Sequence, residues 1–71
     1  MVAYRVVPVY LDPDQMEEVN MITGLDAFRE CNWCDLDAFQ DFPELTKYVH
    51  HEDYKRIRSG KIDFVAFRLD Y

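Results

Sequence analysis

The chain holds few of the residues that build special backbone or covalent structure: two glycines, two cysteines and three prolines in 71 residues. With glycine confined to Gly24 and Gly60, there is no glycine-rich loop to cradle a phosphate and no nucleophile elbow. Two cysteines are too few for a disulfide framework, which points to a reducing, cytoplasmic setting. No apolar run approaches the roughly 18 residues that a membrane span needs, so no membrane association is expected. Met1 to Leu11 carries Arg5 and Pro8 and alternates like a strand, which does not suit a signal peptide. Basic residues are nearly missing from the middle. Between residues 12 and 53 only Arg29 and Lys47 face twelve acids, leaving that stretch at −10 within a total of −6. Such a field repels nucleic acid and steers association with basic surfaces.

What is present suits one small globular domain covering 1–71. The composition is 49% hydrophobic and 15% aromatic, too apolar for intrinsic disorder. A domain of this size buries only about 60% of its unfolded surface, so its stability is marginal or shared with a partner. The expected class is α+β, with N- and C-terminal strands forming a small sheet against three to four short α-helices. Met1 to Leu11 alternates with period two, and Pro8 places it at an edge or a bulge. Lys61 to Tyr71 alternates likewise, with Val65, Phe67, Leu69 and Tyr71 on one face. The two terminal strands are expected to pair with each other or with a partner chain. Asp12, Pro13 and Gln15 spell a helix start with a capping box, and Gly24 is a natural terminator. Asp41, Pro43 and Glu44 are read as another start, with a break near 51 to 53 and an end at Ser59 and Gly60.

Residues 25 to 39, LDAFRECNWCDLDAF, repeat one four-letter word around two cysteines. A continuous helix would leave Asn32 in the middle of the apolar stripe. Asp26 and Asp35 are each placed to cap. The expectation is therefore two short helices, about 27 to 32 and 36 to 42, joined at Asn32-Trp33-Cys34. Cys31 and Cys34 have the spacing of a thiol redox motif or half a zinc site, with His50 as a further ligand. The acids around them oppose a thiolate, and packing as small hydrophobes is the favoured reading. No cofactor is expected, and no carboxylate or histidine has a positional partner marking it as catalytic. An enzyme is not expected.

The functional expectation is a small acidic interaction module that binds and blocks a basic, nucleic-acid-binding surface of a larger protein or ribonucleoprotein. In size and charge the chain resembles the small acidic inhibitors that phages use against host restriction and CRISPR systems. That resemblance implies an inhibitor, some members of that group being mimics of nucleic acid. The residues expected to bind are Asp35, Asp37, Asp41 and Glu44 for charge, with Trp33, Phe42 and Tyr48 as apolar anchors. Two alternatives stand beside it: a metal- or thiol-dependent module using Cys31, Cys34 and His50, and a complex subunit or homodimer joined through its terminal strands.

Overall fold

In the computed structural model, residues 3–70 are described. Strand β1 (Val6–Leu11) leads into helix α1 (Pro13–Thr23), then strand β2 (Cys31–Cys34) and helix α2 (Leu36–Asp41). A 3-10 helix (Pro43–Tyr48), helix α3 (His51–Arg58) and strand β3 (Phe64–Leu69) complete the order. The result is a small α+β fold, as expected. The terminal strands do pair with each other, and they do so in parallel, from Val6 opposite Phe64 to Leu11 opposite Leu69. β2 joins the other side of β3 antiparallel, so the order is β1-β3-β2.

The central position of β3 follows from its composition. Val65 and Phe67 are buried against the helices, and Ala66 is buried on the other face between Pro8 and Trp33 of the two flanking strands. On the helix side, Val65 and Phe67 join Leu11, Met16, Val19, Phe39, Leu45 and Ile57 in the core. The rings of Phe39 and Tyr48 approach Phe67 at 6.3 and 6.5 Å.

Local signals explain the helices. The Asp12 side chain accepts from the Gln15 amide at 2.8 Å while Gln15 accepts from the Asp12 amide, closing the capping box. Gly24 takes the left-handed conformation, φ 79°, that ends α1. In α3, Glu52 and Asp53 lie in the first turn and Lys55, Arg56 and Arg58 in the last, each sign opposing the helix dipole. The chain then turns at Ser59 and Gly60, as the sequence signals.

Pro8 confirms its edge position in atomic terms. Arg5 and Leu11 carbonyls accept from Phe64 and Asp70 of the β3 side, so alternate residues Val7 and Val9 also turn inward and Pro8 turns outward. Its missing N–H falls on the side of β1 that no described strand pairs with.

Several expectations are corrected. Residues 27 to 32 are not a helix, and Asn32-Trp33-Cys34 is not a junction but the body of β2. Period two resolves the misfit of Asn32: it and Cys34 are buried on the helix side, while Trp33 stands on the opposite face. Asp26 caps a turn, accepting from the Phe28 amide at 2.9 Å, whereas Asp35 does cap α2 through the Ala38 amide at 3.0 Å. Asp41 caps nothing; the following helix begins from Phe42 without a side-chain cap and winds as 3-10. The first strand is regular from Val6 only, and Met1, Val2 and Tyr71 lie outside the described residues.

Candidate functional site

The two copies of LDAF have opposite fates. In the second, Phe39 is buried in the core. In the first, Phe28 is 92% exposed. The loop that carries Phe28 is held from below by buried amides. Asn20 donates to the carbonyls of Arg29 at 2.8 Å and Ala27 at 3.4 Å. Asn32 donates to Asn20 Oδ1 at 3.1 Å and to Thr23 Oγ1 at 2.9 Å. Asn20 and Asn32 are the buried polar residues among those described, and their amides satisfy each other and the loop. Phe28 was not among the residues expected to bind. Asn32, an amide inside an apolar stripe, was the signal that something was being held there.

Alternation along β2 also decides the cysteines. Residues three apart on a strand are separated by about 10 Å and point to opposite faces, beyond the reach of a disulfide. Cys31 is half-buried and Cys34 buried, both as free thiols. Burial, with the Asp35 carboxylate second, pushes the Cys34 thiol from 9.0 up to about 12. That is the reverse of thiolate activation. Cys31 accepts from the Trp33 indole N–H at 3.2 Å. His50 lies elsewhere, in a concavity beside β1 with Tyr48 and Asp53. Among the described residues no three His, Cys, Asp or Glu side chains are gathered to hold a metal ion.

Five of the seven residues expected to bind do come together. Trp33, Asp35, Asp37, Asp41 and Phe42 line one shallow concavity of about 320 Å³ beside β2, with Leu25 also on its wall. β2 supplies Trp33, the cap of α2 supplies Asp35, and α2 and its end supply the rest. Glu44 is exposed on the first turn of the 3-10 helix and lies outside that concavity. Tyr48 belongs to the β1 side, against Lys47 and Glu18, which pair at 3.0 Å. The Tyr48 hydroxyl is buried there without a hydrogen bond of good geometry. Burial raises its pKa, aided by Glu18. The neighbouring Tyr48 hydroxyl and Lys47 hold the Glu18 carboxyl low.

A second surface is the sheet face opposite the helices. Val6, Pro8, Phe64, Ala66 and Trp33 are neighbours on it through the strand register. Tyr4 and Trp33 flank the Phe64 ring at centroid distances of 5.2 and 5.5 Å. Trp33 is 53% exposed and Tyr4 and Tyr10 more so, which makes this an aromatic face with Arg68 as its charged residue.

No family model matches the chain, and neither does any curated protein or solved structure. No described helix is long and apolar enough to cross a membrane.

Proposed function

We propose that this protein is a small acidic interaction module that occupies a basic, nucleic-acid-binding surface of a larger protein or ribonucleoprotein and blocks it. The observation that carries the reading is the concavity beside β2, where three carboxylates ring the apolar surface of Leu25, Phe42 and Trp33. Charge of this kind sets encounter rate and register, and apolar anchors supply most of the affinity. On this reading the protein works by occupancy rather than catalysis, in the cytoplasm, with neither cofactor nor direct contact to nucleic acid.

The scale of the patch limits what it imitates. Helix α2 has six residues, a length of about 9 Å. Duplex DNA carries about one charge per 1.7 Å of axis. Asp35, Asp37 and Asp41 therefore match a local cluster of lysines and arginines, not a long groove.

Pull-down from a bacterial lysate with the wild type and with the Asp37→Lys/Asp41→Lys/Glu44→Lys variant tests the reading. Asp35 is left in place because it caps α2. The wild type should recover a nucleic-acid-binding protein at low salt that the folded variant does not. Equal recovery by both, unaffected by salt, overturns the reading.

The aromatic sheet face favours one second reading, docking as a subunit or homodimer. Self-association through that face has to overcome a net charge of −6 on each chain. Sedimentation equilibrium at low and high salt reads it out: a dimer should strengthen with salt, and a monomer throughout removes the homodimer.

A further inference from the structure

The sheet has two edges, and they are not equivalent. On the β1 edge the middle residue, Pro8, has no donor to offer another strand. On the β2 edge the pairing register fixes which groups are free. The Leu69 amide donates to the Glu30 carbonyl at 2.9 Å, and Glu30 continues the antiparallel register that sets Asn32 opposite Phe67 and Cys34 opposite Val65. Hydrogen-bonded pairs alternate with unbonded ones in an antiparallel ladder. Glu30, Asn32 and Cys34 therefore turn their main-chain groups to β3, while Cys31 and Trp33 turn theirs outward. Among the described residues no hydrogen bond takes up those outward groups.

Trp33 and Cys34 of that edge strand line the acidic concavity, whose wall also includes Asp37, Asp41, Leu25 and Phe42. We infer that β2 is a docking edge for an extended basic segment of a partner protein, which adds a fourth strand beside Cys31 and Trp33. This rests on the reading of the protein as a module for basic surfaces and specifies how it takes hold. The chemistry of the occupant follows from the two faces that an added strand presents. Side chains on the helix side lie over Leu25 and Phe42, where the aliphatic stems of lysine or arginine pack while their charges reach Asp37 and Asp41. Side chains on the other side meet the exposed Trp33 ring, a surface for an aliphatic residue or for arginine stacking. Main-chain hydrogen bonds hold such a segment whatever its sequence, and the alternating pockets choose among segments. An acidic or neutral strand meets the same edge without the charge complement.

A twelve-residue peptide of alternating lysine and valine is the probe, with an alternating glutamate and valine peptide as control. The lysine peptide should bind at low salt, the glutamate peptide should not, and Asp37→Lys/Asp41→Lys should weaken binding at least tenfold. The decisive measurement is amide hydrogen exchange by NMR. At saturation the Cys31 and Trp33 amides should exchange at least tenfold more slowly, while Val6 and Tyr10 on the β1 edge stay unchanged. A lysine peptide that binds while Cys31 and Trp33 exchange at their free rate overturns strand addition and leaves the basic-surface reading standing. A lysine peptide that does not bind also overturns it, and the wider reading is then decided by the lysate comparison alone.

Discussion

Trp33 and Phe39 show how little a residue's size alone says about its place. Both are large aromatics inside the repeated stretch, and the sequence allows Trp33 either a core or an interface role. The structure leaves it half-exposed against Phe64, with Phe39 fully buried. Phe39→Ala should therefore cost about 3 to 5 kcal/mol, and Trp33→Ala only about 1 kcal/mol, the scale of one aromatic pair. Urea denaturation of the two variants checks the order; a Trp33 variant as unstable as the Phe39 one would place the indole in the core. Asn32 supplies a second prediction at this scale. Asn32→Asp replaces the donor that faces Asn20 Oδ1 with an acceptor, so a buried carboxylate is set against another acceptor. Loss of a buried hydrogen bond costs about 1 to 3 kcal/mol, and Asn32→Asp should exceed Asn32→Ala. Equal losses would mean that the amide contributes volume and not hydrogen bonding.

At the level of elements, local chemistry was legible where it is local. The capping box of Asp12 and Gln15, the stop at Gly24, the cap at Asp35 and the turn at Gly60 all depend on neighbours within a few residues. β2 was not legible, because its stability lies in pairing with β3 more than thirty residues away and its four residues have no pattern of their own. Asn32 does not fit the apolar stripe of a helix, and it fits a strand, where period two buries it beside Cys34 and leaves Trp33 on the other face. The 3-10 winding of Pro43–Tyr48 had no sequence signal beyond proline at its start. The same distinction predicts how carboxylates differ. Asp35→Ala should cost about 1 kcal/mol, as loss of an N-cap does, and Asp37→Ala, two residues on and exposed, no more than about 0.5 kcal/mol. Thermal melts of the pair measure the difference. Indistinguishable variants would show that α2 is held by Phe39 and not by its cap.

For the molecule as a whole, the charge asymmetry was plain in the sequence, but its placement was not. Five of the expected binding residues share a concavity because β2 and α2 are adjacent, while Tyr48 belongs to the opposite edge and Glu44 to neither. The buried thiol links this architecture to pH. Cys34 ionises near 9.0 when free and near 12 in the fold, chiefly through burial. Its neutral form is thus favoured by folding, and its stabilisation is complete below pH 9. As pH rises above 9 the unfolded chain gives up this proton and the folded chain keeps it, so stability falls until about pH 12. The slope from one such group is at most about 1.4 kcal/mol per pH unit. Tyr48, whose phenol is also raised by burial, adds to the fall above pH 10, so the range from 8.5 to 9.8 isolates the thiol best. Cys34→Ala will lower stability at every pH by leaving a small void, and for that reason slopes and not absolute values are to be compared. Urea midpoints across that range should decline for the wild type and for Cys31→Ala, and stay nearly level for Cys34→Ala. If all three decline in parallel, Cys34 ionises alike in both states, and the close packing of β2 against the core is not maintained in solution.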